Sequence, residues 1–225
     1  MKYVKEYNCV KGALAEKLFE NGAFTTLELA YACYTGKGLS QNTEKAIAYF
    51  KSAVEKGHPT AAHDIVVCYD KLGRHSVGEA YIKDMAEKGN LAAQELYAMA
   101  ICERAYEDRK TIEPKYLTWL KNCAEADYVQ SIMLLAQMYE PTNPWQRPCI
   151  LPQGYYASIG NAYNYFKRAA DLGVEDAIEK VNEIEKGRCP YCGSLYTSVR
   201  TQKSVFRRSD SLERFCKDCK ESFDY

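Results

Sequence analysis

Four cysteines near the C-terminus, Cys189, Cys192, Cys216 and Cys219, form two Cys-x-x-Cys pairs separated by 23 residues. Thiolates three positions apart on a tight turn can point at one ion, and two such pairs complete a sulfur tetrahedron, the ligand set of a structural zinc site. All four positions would be thiolate, so no coordination site is left for a reacting water. The expectation is one structural zinc. Iron accepts the same tetrahedron, while a thioredoxin-type redox pair needs a single pair framed by strand and helix. Pro190 stiffens the first turn, and Gly193 just after it gives the backbone freedom it requires. The segment has too little apolar material to fold alone, and structural zinc contributes roughly 10 to 16 kcal/mol of apparent binding energy to such modules.

The same segment carries a local charge excess. The whole chain balances 30 Lys plus Arg against 30 Asp plus Glu, which removes any global pull toward nucleic acid or anionic membrane. From Gly187 onward eight basic residues face five acidic ones, so this part is +3 and the remainder −3. Arg200, Lys203, Arg207 and Arg208, with Tyr196 and Phe206 nearby, could touch phosphates; the blander reading is a solvated hairpin. Short β-prone runs at 195–199 and 204–207, with a turn at Ser209 and Asp210, predict hairpins here. No phosphate-binding glycine loop, nucleophile elbow or HExxH pattern occurs, and the three histidines are isolated. His63 is expected on a helix, His58 and His75 in connectors, each solvated or locally hydrogen-bonded. No catalytic residue is nominated and no small-molecule substrate is evident; an enzyme hidden in the repeats ranks last.

The elements that hold this module are read from a repeat. Four segments end alike, SAVEKG at Gly57, DMAEKG at Gly89, NCAEAD at Asp127 and RAADLG at Gly173, each closing an amphipathic stretch such as Ala46, Tyr49, Phe50, Ala53 and Val54. A glycine just past the last turn is a C-cap signal, because that residue needs positive φ. Counting from these terminators, with Gly22 as the first, the fourth residue on is small: Thr26, Ala61, Ala93, Ser131 and Ala177. Eight on come Ala30, Ile65, Tyr97, Leu135 and Val181, and twelve on Tyr34, Tyr69, Ile101 and Tyr139, sharing one helix face. The three tyrosines are expected to be structural. Six on come Glu28, His63, Glu95 and Met133, which with Tyr31 are expected to face a groove between stacked helix pairs and read a partner. Residues 10–22 behave as a leading half-repeat and 175–186 as a trailing one.

The stretch 140–160, EPTNPWQRPCILPQGYYASIG, is denied a helix by Pro141, Pro144, Pro148 and Pro152. This insertion is expected to be a loop. Its Trp145 and Arg147 make it a candidate partner contact, and the equal alternative is that it folds back over the last repeat. Six further cysteines, at 9, 33, 68, 102, 123 and 149, are scattered and expected mostly as small buried hydrophobes in a reducing compartment. No apolar run resembles a signal-peptide core or reaches bilayer-spanning length, so the protein is expected to be soluble, cytoplasmic and without membrane contact.

The repeat pattern resembles the Sel-one-like repeat (SLR) family, a branch of the tetratricopeptide-type α-solenoids. The residues that carry it are LELAYACYTGKGLSQNTEKAIAYFKSAVEKGHPTAA, from Leu27 to Ala62, and NAYNYFKRAADLGVEDA, from Asn161 to Ala177. The middle repeats depart from it, lacking the Gly36 to Gly38 connector or carrying the insertion. CPxCG at Cys189 to Gly193, with the second pair, resembles the zinc-ribbon family. Together the resemblances imply a mostly α fold: a solenoid of antiparallel helix pairs over residues 1–186 and a small zinc-ribbon β module over 187–225. They imply a non-enzymatic scaffold or adaptor that binds a protein or peptide. The alternative is a nucleic-acid-associated regulator whose basic ribbon contacts DNA or RNA.

Overall fold

The computed structural model describes residues 20–141, 151–188, 195, 197–202, 211–218, 220 and 222–224. Its helices among these are α1 Ala23–Thr35, α2 Thr43–Glu55, α3 Pro59–Lys71, α4 His75–Glu87, α5 Leu91–Glu107, α6 Pro114–Glu125, α7 Val129–Tyr139, α8 Ile159–Asp171 and α9 Glu175–Lys186. Local chemistry starts them. Asn42, Asn90 and Ser158 accept hydrogen bonds from backbone amides in the first turns of α2, α5 and α8, while Pro59 and Pro114 open α3 and α6, where a missing N–H costs nothing. No described helix is long and apolar enough to cross a membrane.

Left-handed residues stop them. Gly57, Gly89, Asp127 and Gly173 have φ of 88°, 89°, 61° and 75°, as the terminators required, and Gly22 has 71°. Each of the four closes its helix with the same two bonds. At the first, the Gly57 amide donates to the Val54 carbonyl at 2.8 Å and the His58 amide to that of Ala53 at 2.9 Å. Asn90 to Met85, Tyr128 to Cys123 and Val174 to Ala169 repeat the longer bond at 3.0, 3.1 and 3.1 Å. This is the Schellman closure, which satisfies carbonyls that the helix end would leave bare.

Each helix packs antiparallel on the next, and α5 also packs on α3 and α7, so the first helices of successive pairs form one layer and the second helices another. The core runs between them. The small residues four after each terminator, Thr26, Ala61, Ala93, Ser131 and Ala177, are all buried. So are Phe50, Ile82, Leu120 and Phe166, seven before the next terminators. Two clusters, one from α1 to α6 and one from α5 to α9, are joined by Tyr97 and Trp119, which pack against both. Gly78 on α4 shows how close the layers come: a Cβ there would lie 3.1 Å from the Tyr69 Cβ. Cys33, Cys68, Cys102 and Cys123 are buried free thiols, as expected of small hydrophobes; Cys9 and Cys149 lie outside the described residues.

After α9 the backbone forms an antiparallel sheet of β1 Thr197–Gln202, β2 Ser211–Cys216 and β3 Ser222–Asp224 in the order β1-β2-β3. Thr197 pairs with Cys216 and Gln202 with Ser211. The run at 204–207 and the turn at Ser209 and Asp210 lie outside the described residues, as does nearly all of the leading segment 10–22.

Several expectations change. Tyr49, placed on the core face of α2, is 37% exposed, because the stripe needed only Ala46, Phe50, Ala53 and Val54. Tyr34 and Tyr69 pack against the first core cluster as structural residues but stay half-buried, with the Lys71 and Lys51 ammonium groups 4.5 and 5.6 Å from their ring centres, whereas Tyr139 is buried and stacks on Tyr165 at 5.9 Å. His75 is the first residue of α4 and not a connector residue. At the end of the insertion Leu151 and Pro152 are buried, Leu151 in the second core cluster; this part folds back on the array. Residues 142–150, with Trp145 and Arg147, lie outside the described residues.

The left-handed positions predict paired outcomes. A Cβ at Gly89 meets nothing within 4 Å, so Gly89→Ala isolates the backbone cost and should lower stability by about 1 kcal/mol. Arg109, exposed with φ 54°, is the converse case, and Arg109→Gly should raise stability by a few tenths to about 1 kcal/mol. Urea melts of the three proteins check both signs.

Candidate functional site

The first helices α1, α3, α5, α7 and α9 bring the nominated partner-reading positions to one face. The Tyr31 hydroxyl on α1 donates to the Asp64 carboxylate on α3 at 2.5 Å, and Lys180 on α9 reaches Glu140, just after α7, at 3.5 Å. Glu28, Tyr31 and Met133 are half-buried, and the His63 side chain is 66% exposed. The neighbouring Asp64 carboxylate, 3.9 Å from its ring, raises the His63 pKa above the ordinary imidazole value, against a smaller effect of burial. These four stay accessible at the surface of the layer.

Glu95 does not. Though six residues after its terminator like Glu28 and His63, it is buried at 4% exposure. One carboxylate oxygen accepts from the Ser131 amide at 3.0 Å and from the Ser131 hydroxyl at 2.8 Å. The carboxyl of α5 thus satisfies an orphan donor in the first turn of α7, a capping interaction supplied from a neighbouring repeat. Burial drives its pKa up from 4.5 to about 7, opposed by the two Ser131 bonds, which favour the ionised form. Glu95 is a joint between repeats and not a contact for a partner.

The other histidines also have defined surroundings. His58, expected in a connector with water or a local partner, is fully buried edge-on to Phe24, 5.3 Å between ring centres. Its Nδ1 lies 3.0 Å from the Thr60 hydroxyl, and burial lowers its pKa to about 4, keeping the ring neutral. His75 is exposed between the carboxylates of Asp70 and Glu79, which raise its pKa, the hydrogen bond to Asp70 first. Among the described residues, no group of three or more His, Cys, Asp or Glu side chains is placed to hold a metal ion.

Of the four zinc-ligand candidates, Cys189, Cys192 and Cys219 lie outside the described residues, and Cys216 is placed as the last residue of β2. The pairing of Thr197 with Cys216 sets the start of β1 beside the end of β2. The start of β1 and the end of β2 therefore lie at the same end of the sheet. Lys220, immediately after Cys219, has a left-handed φ of 66°, the backbone freedom ascribed to Gly193 after the first pair. Of the basic candidates, Lys203, Arg207 and Arg208 lie outside the described residues. Arg200 is in β1 opposite Glu213 on β2.

The comparisons with known proteins follow this geometry. The family model described as Sel1 repeat matches residues 26–58 and 153–174. The crystal structure of a Sel1 repeat protein from Oxalobacter formigenes is similar at 16% identity and a TM-score of 0.51, covering 74% of this chain and 65% of that one. A protective antigen of uropathogenic Escherichia coli strains, displaying an SLR fold, aligns at 19% identity and a TM-score of 0.47, covering 78% of this chain and 35% of that one. The chain thus spans just under two thirds of the first protein's length and about a third of the second's. No curated protein matches.

The Glu95 joint has a sign that can be tested. Because its folded pKa lies above the unfolded value, its contribution to stability is fully present below about pH 4.5 and is lost as pH rises through about 7. Glu95→Gln keeps an oxygen for both Ser131 donors and removes the charge. From pH 5 to pH 8 the stability of Glu95→Gln relative to the unsubstituted protein should rise by about 2 to 3 kcal/mol, measured by urea melts at each pH. Two segments of the chain match the Sel1 repeat model, and the helical part of the chain has an α-solenoid fold similar to that of the Oxalobacter formigenes Sel1 repeat protein.

Proposed function

We propose that this chain is a non-enzymatic interaction scaffold or adaptor. Its first-helix layer holds a protein or peptide partner, and one structural zinc staples the C-terminal sheet. The observation that carries the scaffold reading is a contrast between two registers of the same helices. Four residues after each terminator the side chain is small and buried throughout, from Thr26 to Ala177, whereas six after it Glu28, His63 and Met133 differ in chemistry and remain accessible. One register keeps the array together and the other is left to vary, which suits a surface that reads a partner. The resemblance to Sel1 repeats, whose proteins generally mediate protein–protein contacts, agrees with this.

The zinc reading rests on the donor set and the sheet register. Four thiols in two tight pairs suit a closed zinc site, and Cys216 pairs across the sheet with Thr197, which follows Cys192 by only five residues in the sequence. Cys189, Cys192, Cys216 and Cys219 would hold the ion, and its chemistry there is structural. A reducing, cytoplasmic setting fits the buried free thiols of α1, α3, α5 and α6. The nucleic-acid alternative draws less support, since Arg200 has Glu213 opposite it.

Metal analysis of the purified full chain should find about one zinc per molecule, and Cys216→Ser should lower that content and the melting temperature of the sheet. Protein with no zinc and an intact sheet would contradict the staple. For the scaffold, pull-down from the native host should recover a reproducible partner both with the full chain and with a variant ending at Lys186. Loss on truncation would move the contact to the sheet module.

A further inference from the structure

Charge is divided unequally between the two helix layers. The first helices α1, α3, α5, α7 and α9 contain eleven acidic and four basic side chains, whereas the second helices α2, α4, α6 and α8 contain seven of each. Only one of the eleven acidic residues, Glu95, is buried. The accessible ones include Glu28, Asp64, Glu103, Glu179 and Glu183, whose spacing from the terminators places them on the side of their helices turned away from the core. Two lysines on that side are already engaged within the chain. Lys71 lies 4.5 Å from the centre of the Tyr34 ring, and Lys180 is held by Glu140 and Glu183 at 3.5 and 3.2 Å.

Between the carboxylates the same side is apolar. Seven and ten residues after the terminators come Leu29, Val67, Leu96, Met99 and Leu134; Leu29 is 39% exposed, and the others are half-buried, with Leu96, Met99 and Leu134 resting one side on the core clusters and leaving the other uncovered. Side chains one turn apart on stacked helices make a continuous strip, and a methionine in it can adjust to the shape of an occupant. An apolar strip bordered by surplus carboxylates is complementary to one chemistry. We infer that the first-helix face docks a basic amphipathic peptide segment, whose apolar side covers the Leu29 to Leu134 strip and whose lysines or arginines meet the bordering carboxylates. This rests on the scaffold reading and names the chemistry of its partner.

The test uses the full chain and three synthetic peptides of equal length: an amphipathic peptide with four lysines, the same sequence with glutamates for lysines, and a lysine peptide whose apolar residues are replaced by serine. Fluorescence anisotropy at low salt should give the first peptide a dissociation constant at least about tenfold below either of the others, weakening as salt is raised. The triple variant Glu28→Lys, Glu103→Lys, Glu179→Lys should erase the preference. Reversal on the other layer, Glu55→Lys with Asp84→Lys, should leave it. Melting curves of both variants establish that they are folded. Equal or tighter binding of the glutamate peptide, or binding of none of the three, overturns the inference. A pull-down partner insensitive to the triple reversal also overturns it, while the scaffold reading then stands.

Discussion

The structure depends on one backbone constraint, the left-handed residue that ends every second helix. At Gly57, Gly89, Asp127 and Gly173 the chain leaves the helix through the same pair of hydrogen bonds, so it enters the next first helix in the same direction each time. Polar side chains then tie these ends across repeats. Asn21 donates to the Lys56 carbonyl at 2.9 Å, Asn90 to that of Val54 at 2.7 Å, and Arg168 to that of Glu125 at 3.0 Å. The Tyr128 hydroxyl donates to the Gly57 carbonyl at 2.6 Å, although 71 residues separate the two. Carbonyls that a helix leaves bare thus become the points at which neighbouring repeats are joined, and the array gains stability by stacking.

A fixed exit direction fixes which side of each first helix is covered. The residues four and eight after the turn face the core, and those about a half-turn away do not, with Glu95 the exception because Ser131 draws it inward. Sequence variation is cheap on the uncovered side and costly in the core, where Gly78 leaves 3.1 Å between a would-be Cβ and Tyr69. The uncovered layer can therefore carry its own charge balance, while the residues behind it stay small. The fold separates the part that must not change from the part that can.

How much of this was legible follows from the same physics. Glycine at a helix end is a strong signal because few residues tolerate positive φ, and Asp127 was recognised without one because the surrounding NCAEAD matched its counterparts. Glu95 was misplaced because charge and register both argued for the surface. The overlooked signal was Ser131, a hydroxyl where the matching positions of three other repeats hold alanine; a polar group at a buried position calls for a polar partner nearby. His58 has the connector position and the local partner expected of it, the Thr60 hydroxyl, but its full burial was not legible, since a residue next to a turn glycine is usually wet and this turn is covered by Phe24 and Tyr128. Leu151 and Pro152 sit in a proline-rich stretch whose composition tells only that it is not a helix. The Cys-x-x-Cys spacing offers a donor set and says nothing about partners, because a closed thiolate site would be compatible with any surface around it.

Native-state hydrogen exchange tests the central claim, that these turns are structural joints and not ordinary loops. The amides of His58, Asn90, Tyr128 and Val174, which make the longer bond of each closure, should exchange only through the openings that expose the flanking helix cores, with protection like that of Phe50 and Leu120. Exchange of these four at the rate of an exposed connector amide such as Lys37 would contradict the account.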